Sequence, residues 1–323
     1  MSLTPVVAGR LCILTAAILW SLSGAFTKAL TTPTIFGVHE PALEPFVIGD
    51  TAVPVQIAFY RAFFAGLVLV PTLRRADIRF KPMMLGMLAC FALMNATFIS
   101  AQALGTAANA ILLQNSAPLW MFFVSVLWLG EKAELRGVVS LILGMLGIGV
   151  IIVGEWTGGN LLVVAIGLVS GATYAGVILG LRILRDLAPA WLTVWNHVLG
   201  SLVLLPFVLM LEPPTWPQLI TLFLFGAIQL GLPYWLMARG LRTVSAPEAG
   251  VLTLVEPILT PVWAFFVAGE VPQVWTFIGG GIVLLALAYR YWPTGSARTD
   301  NRAQTETSVD GDAYTPAATD PPS

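Results

Sequence analysis

The chain is poor in charge, and this scarcity excludes several classes of protein. Charged residues make up 10% of its 323 positions, whereas a typical soluble domain carries about 25%. Sixteen basic and seventeen acidic residues leave a net charge of −1, which provides no basic surface for nucleic acid. Hydrophobic residues make up 57%, and so few polar residues cannot cover a soluble fold of this length. We therefore predict an integral membrane protein whose surface faces lipid.

The groups that enzymes and metal sites use are also scarce. The two cysteines, Cys12 and Cys90, lie in apolar stretches without C-x-x-C spacing, which favours buried thiols over a disulfide or a metal site. The two histidines, His39 and His197, belong to no H-E-x-x-H motif, and neither G-x-S-x-G nor a P-loop occurs. We expect no enzyme activity, no cofactor and no ATP site.

Long apolar runs are what the chain has instead. A membrane helix needs about 20 mostly apolar residues. Ten stretches approach this length, at 9–30, 53–73, 82–104, 107–129, 135–154, 161–182, 190–211, 217–239, 247–269 and 272–292. The pattern predicts an all-α membrane protein with ten transmembrane helices. Residues 293–323 are rich in Thr, Asp, Pro and Ala, which predicts a disordered tail.

The basic residues predict the orientation. If the N-terminus is inside, Lys28 lies at the outer edge of the first span and Arg61 lies within the second. The other 14 of the 16 then fall on the inner side, namely Arg10, Arg74, Arg75, Arg79, Lys81, Lys132, Arg136, Arg182, Arg185, Arg239, Arg242, Arg290, Arg298 and Arg302. Cytoplasmic loops retain Lys and Arg, so both termini are expected on the cytoplasmic side. The protein itself is expected in the cell membrane, that is, the inner or plasma membrane.

Proline and glutamate spacings indicate an internal repeat. Three prolines with spacings of 17 and 11 recur with the same spacings later in the chain, Pro54, Pro71 and Pro82 against Pro189, Pro206 and Pro217. Pro118 precedes Glu131 by 13 residues, as Pro257 precedes Glu270. Residues 1–155 and 156–292 would then be two repeats of five spans. Because five is odd, the second repeat would be inverted, which is typical of secondary transporters with alternating access.

The order of several short motifs resembles a known family. These motifs are Trp20 with Lys28, Arg61 in the second span, Ala-Pro-Leu-Trp at 117–120 before Gly130-Glu131, and Val-Glu-Pro-Ile at 255–258 before Gly269-Glu270. Over residues 9–292 the chain resembles the drug/metabolite transporter superfamily, EamA type. The resemblance implies export or exchange of small metabolites, often amino acids or drug-like amphiphiles, and a central cavity lined by spans 1, 3, 4, 6, 8 and 9. The chain departs from the family in its long loop 31–53 and in Asn196, which stands where the repeat would mirror Arg61.

Two charged residues lie within the predicted spans. Glu256, in span 9, is either a protonatable coupling group, a site for a substrate amine, or a structural carboxylate bonded to a neighbouring helix. Arg61 is favoured as a packing residue, with a counter-ion for Glu256 or for a substrate carboxylate as the alternative. Lys28, at the outer mouth, is favoured as an interfacial anchor over a group that attracts substrate.

The uncharged candidates for substrate contact lie in the spans that the resemblance places at the cavity. Trp20 either stacks on a ligand or packs in the core. Polar side chains in spans 3, 4 and 8 either contact substrate or join helices by hydrogen bonds; they include Asn95, Asn115, Gln229 and Tyr234. Pro118 and Pro257 are expected to break their helices near the membrane centre.

The function predicted from the sequence is secondary transport of small organic metabolites, either amino-acid-like or amphiphilic and drug-like. An exporter that works by alternating access is favoured, and proton coupling is open. The alternatives are a membrane-embedded structural protein, a receptor, or an enzyme without transport activity. The small-molecule substrate and the lipid bilayer are the expected partners.

Overall fold

The computed structural model describes residues 4–35, 38–39, 41–127, 135–158, 161–184, 186–244, 249 and 252–291. The predicted tail and the Gly130-Glu131 motif lie outside these ranges. The first half of the described chain forms helices α1 (Pro5–Trp20), α2 (Ser23–Thr31), α3 (Val55–Leu69), α4 (Met83–Leu104), α5 (Ala107–Gln114), α6 (Ala117–Leu127) and α7 (Leu135–Gly158). Two short 3₁₀ turns, Val70–Thr72 and Arg75–Asp77, follow α3.

The second half is helical too, but more often interrupted. Its helices are α8 (Leu161–Ile183), α9 (Pro189–Val194), α10 (Gly200–Leu202), α11 (Leu205–Val208), α12 (Trp216–Leu224), α13 (Leu232–Gly240), α14 (Val255–Ala268) and α15 (Val274–Tyr291). Two π-helical segments, Trp195–Leu199 and Phe225–Gly231, join α9 to α10 and α12 to α13.

Among the described residues, six helical stretches are long and apolar enough to cross a bilayer: Pro5–Thr31, Val55–Thr72, Met83–Leu104, Leu135–Gly154, Leu161–Ile183 and Trp216–Gly240. Two shorter apolar helices, Val255–Ala268 and Val274–Arg290, follow. The stretches predicted at 107–129 and 190–211 are divided into shorter helices. The helical membrane architecture is therefore confirmed, whereas the count of ten spans remains a prediction.

Several of the divisions coincide with prolines at the start of a helix. Pro118 is the second residue of α6, Pro206 the second of α11, and Pro257 the third of α14. Proline lacks an N–H, and the N–H groups of a helix's first turn have no acceptor within the helix. Pro118 and Pro257 therefore begin new helices after a break, whereas the sequence suggested prolines that break a helix from within.

Glycine permits direct packing of α7 against α15. A Cβ on Gly147 of α7 would lie 2.6 Å from the carbonyl oxygen of Gly279 on α15. Only a residue without a side chain fits there, so the two backbones pack directly against each other. Such close contacts explain why glycine is common in these apolar helices.

The bundle has two chemically different ends. The basic end is the end at which α1 begins and α13 finishes, and it carries an exposed ion pair between Lys81 Nζ and Asp186 Oδ2 at 2.7 Å. The hairpin end is the opposite one, where α2 and α14 finish. It carries two antiparallel hairpins, Thr34–Ile35 with Val38–His39 and Phe46–Ile48 with Thr51–Val53.

The long loop 31–53 is packed onto the hairpin end. Glu44 Oε2 accepts a hydrogen bond of 2.8 Å from the Glu212 backbone N–H, and Gln218 Nε2 donates one of 2.8 Å to the Pro41 carbonyl. Phe46 contacts Phe207 edge to face, with ring centroids 5.2 Å apart. The loop thus joins the first half of the chain to the segment around α11 and α12.

Candidate functional site

A cavity of about 490 Å³ lies in the middle of the bundle. Its walls combine apolar and aromatic side chains with a few polar groups. The lining residues are Trp20, Arg61, Met94, Phe98, Ile111, Gln114, Asn115, Tyr174, Ile178, Gln229, Leu230, Tyr234, Met237, Leu241, Ala249, Thr253 and Glu256. An apolar cavity with a small number of placed polar groups is typical of a small-molecule site.

Breaks in four helices bring polar groups to this cavity. Trp20 is the last residue of α1, Asn115 follows α5, Gln229 lies in the π-helical segment before α13, and Glu256 is the second residue of α14. Two of these side chains also donate hydrogen bonds to backbone carbonyls near the breaks. Gln229 Nε2 donates to the Trp20 carbonyl at 2.9 Å, and Asn115 Nδ2 donates to that of Ile111 at 2.8 Å. Irregular backbone is tolerated at membrane depth where it lines such a cavity.

Arg61 places a positive charge in the cavity wall. The residue is 3% exposed, and its Nη2 donates a 2.6 Å hydrogen bond to Asn95 Oδ1. Its guanidinium carbon lies 5.7 Å from the ring centroid of Phe98 and 5.3 Å from that of Phe225. Such contacts stabilise a cation without neutralising it. The buried Nε of Arg61 has no hydrogen-bond partner.

Glu256 places a carboxyl group in the same cavity. It lies in the first turn of α14, where the helix dipole favours a negative charge. Among the described residues its carboxylate forms no ion pair and no hydrogen bond, while its backbone carbonyl accepts one from Thr260 Oγ1 at 2.8 Å. Arg61 and Glu256 both line this cavity. The direct pairing that the sequence left open is not formed between these two described residues, so both groups face the cavity space.

Aromatic rings form another wall. The rings of Trp20 and Tyr234 meet edge to face, with centroids 5.5 Å apart, and the ring of His197 contacts Tyr234 at 4.9 Å. His197 Nδ1 lies 2.8 Å from the Thr193 carbonyl, which fixes the ring behind Tyr234. An aromatic or apolar part of a ligand can pack on this surface.

The structure brings together most of the candidate residues. The cavity is lined by six of them, Trp20, Arg61, Asn115, Gln229, Tyr234 and Glu256. Asn95 does not line it; its carboxamide lies behind Arg61 and also donates to the Ala58 carbonyl at 2.7 Å. Lys28 lies at the hairpin end, in an ion pair with Glu270 at 3.1 Å.

Sequence reasoning did not select the apolar lining residues. Met94, Phe98 and Ile178 have no signal in the sequence, because an apolar residue facing a cavity looks like one facing lipid. Tyr174 did have a signal: it precedes Arg182 by eight residues, as Trp20 precedes Lys28. Both rings line the same cavity.

Comparison with known proteins supplies the family. The EamA-like transporter family matches residues 47–153 and 158–291, well over half of the chain. The chain belongs to the EamA-like transporter family. An uncharacterized transporter of Archaeoglobus fulgidus is 31% identical over 240 residues, which cover 73% of this chain and 85% of that protein.

The helical fold of this family member also has a counterpart among solved structures. One crystal structure aligns with a TM-score of 0.53 and covers 88% of this chain and 96% of its own, at 16% identity. At that identity the likeness concerns the fold alone. Together, the family and the apolar helices identify a multi-pass membrane protein of a transporter family.

Proposed function

We propose that the protein is a secondary transporter of small amphoteric metabolites that works by alternating access. The observation that carries the proposal is the central cavity, in which a buried cation, Arg61, and a carboxyl group, Glu256, face the same space without pairing directly. Buried charges usually pair. A ligand that carries both charges would complete the site.

The arrangement favours an amino-acid-like substrate. Its carboxylate would bind the Arg61 guanidinium, and its ammonium group would bind Glu256, as charge-assisted hydrogen bonds. An apolar or aromatic side chain would pack on Trp20 and Tyr234, which stand edge to face in the wall. The cavity of about 490 Å³ suits a molecule of this size.

The proposed topology has ten spans in two inverted repeats. The family matches two successive segments, 47–153 and 158–291, on either side of the predicted boundary at 155. In this state the cavity continues toward the basic end, where its lining includes Leu241, which is 45% exposed. With the basic end inside the cell, the cavity would load from the cytoplasm, which supports export across the inner or plasma membrane.

A ligand series tests the substrate class. We expect an apolar amino acid to stabilise the purified protein, by about 2.7 kcal/mol at a concentration one hundred times Kd. Its amide, which lacks the carboxylate, and its N-acetyl derivative, which lacks the ammonium group, should stabilise far less. The measurements are Tm in detergent and flux of the labelled amino acid in liposomes. Equal stabilisation by all three compounds, or no flux of the best binder, would contradict the proposal.

Cysteine labelling tests the orientation. Native Cys12 and Cys90 are first replaced, and single cysteines are placed in loop 31–53 or in segment 74–81. An impermeant maleimide applied to intact cells should label the first position and not the second, because 74–81 carries four of the basic residues. Labelling of both sites after lysis is the control for accessibility. The reverse pattern would overturn the orientation.

A further inference from the structure

A largely buried ion pair lies at the hairpin end, outside the lining of the cavity. Lys28 Nζ, at the end of α2, lies 3.1 Å from Glu270 Oε2, which follows α14. The side chains are only 14% and 11% exposed. The cavity continues toward the opposite end, so this pair lies on the closed side.

Further hydrogen bonds hold both partners in place. Lys28 Nζ also donates to the Gly105 carbonyl at 2.6 Å, and Glu270 Oε1 accepts from the Ala107 backbone N–H at 2.6 Å. Ala107 is the first residue of α5, where a free N–H and the helix dipole favour an anion. Four segments thus meet at one buried charge pair: the ends of α2, α4 and α14 and the start of α5.

The backbone at Gly269 directs Glu270 toward this point. Gly269 ends α14 in the left-handed region, with φ of 64°. A residue with a side chain is strained there, so glycine allows the chain to turn immediately after the helix. Glu270 therefore reaches back to α5 and α2 and does not continue away from the bundle.

Helices α2, α5 and α14 also pack closely against one another near the ion pair. A Cβ on Gly24 of α2 would lie 2.5 Å from that of Ala107 and 3.4 Å from Cγ2 of Thr260 on α14. Helix α14 then runs from this contact to Glu256, which faces the cavity. One helix therefore connects the candidate substrate site to the ion pair.

We infer that Lys28 and Glu270 form a latch that keeps the hairpin end closed while the cavity is open toward the basic end. In the opposite state α2 and the end of α14 separate, and the two charges become hydrated. Water then offsets the lost attraction, since desolvation opposes much of the energy of a buried ion pair. The latch can therefore open reversibly. This inference rests on the proposed alternating access.

Spin labels at Thr32→Cys and Gln273→Cys, in a background without Cys12 and Cys90, measure the distance between the end of α2 and the segment after α14. Glu270→Gln keeps the side-chain volume and an oxygen for the Ala107 N–H but loses the charge. Lys28→Met keeps the apolar stem. We expect each variant to increase the population with the longer distance several-fold over the unmodified latch.

A double-mutant cycle separates the latch from general loosening. If the two residues act as a pair, Lys28→Met with Glu270→Gln should shift the population no further than either change alone. The matched control is Asp186→Asn, which breaks the exposed Lys81–Asp186 pair at the basic end and should leave the distances unchanged. Lys28→Arg keeps the charge and should resemble the wild type.

Two outcomes would overturn the latch. One is an unchanged distance distribution in the folded Lys28→Met variant. If Glu270→Gln fails to fold, the distances in Lys28→Met are sufficient to test the latch. The other is full additivity of the two changes. Substrate flux in liposomes distinguishes the latch from the proposed transport function. If the protein transports substrate but the variants leave the distances unchanged, the transport proposal stands and the latch is wrong. Shifted distances without any flux would retain the latch and remove the transport proposal.

Discussion

Glu256→Gln is expected to keep the fold, to weaken binding of the substrate amine, and to abolish the pH dependence of the transport that remains. The carboxylate lines the cavity at the start of α14 and has no direct partner among the described residues. It can therefore exchange a proton or a substrate amine with the cavity. One proton taken up per cycle changes the driving free energy so that flux can vary up to about tenfold per pH unit. Gln, which does not titrate, should give a flat profile.

The measurement is flux against pH in liposomes, together with Tm, for the wild type and for Glu256→Gln. Glu212→Gln, on the connection between α11 and α12, is the matched control and should keep the wild-type profile. Identical pH profiles for wild type and Glu256→Gln would contradict proton coupling. Lost binding at unchanged Tm would place the substrate amine at Glu256. A loss of stability of about 1–3 kcal/mol with an intact profile would indicate a structural carboxylate.

Arg61→Met is expected to abolish transport of substrates that carry a carboxylate. Removing one partner of a buried charge pair costs about 2 kcal/mol or more, roughly thirtyfold in affinity. The fold should persist, because Met replaces the apolar stem and removes a buried cation that has no ion-pair partner among the described residues. The hydrogen bond to Asn95 is lost, which is expected to lower the free energy of unfolding by about 1–3 kcal/mol.

The comparison of an amino acid with its amide decides what Arg61 binds. The wild type should prefer the amino acid, and Arg61→Met should lose that preference in both binding and flux. Arg239→Met is a matched control, since Arg239 lies 5.4 Å from the ring centroid of Trp235 on the exposed side of α13. If the preference for the carboxylate survives in Arg61→Met, another group binds it.

Asn95 shows how much could be predicted from residue type alone. A buried amide among apolar residues must find a partner, and the sequence predicted either substrate or a neighbouring helix. The structure shows the second alternative, because Asn95 accepts from Arg61 and donates to Ala58. The partner lies 34 positions away along the chain. Only the packing of α3 against α4 brings the two groups together.

The helix breaks, too, were only partly predictable from the sequence. Pro118 and Pro257 marked two of them, because proline cannot occupy the interior of a helix without losing a hydrogen bond. The break after Trp20 has no proline beside it. The π-helical segment around Gln229 is followed by Pro233, the second residue of α13, which lacks the N–H that would donate to the Gln229 carbonyl. Their geometry depends on contacts with other helices, such as the hydrogen bond from Gln229 to Trp20.

The sequence by itself determined the class of the protein and most of the polar groups at its centre. A bilayer makes charge and unpaired polar groups costly, so the apolar runs and the few polar residues within them are informative at every position. The tertiary structure decided what those groups do. It left Arg61 and Glu256 facing one cavity, placed Asn95 behind Arg61, and joined Lys28 to Glu270, which is 242 positions further along the chain. Residue type specifies that a buried charge needs a partner, whereas helix packing alone selects which partner lies within reach.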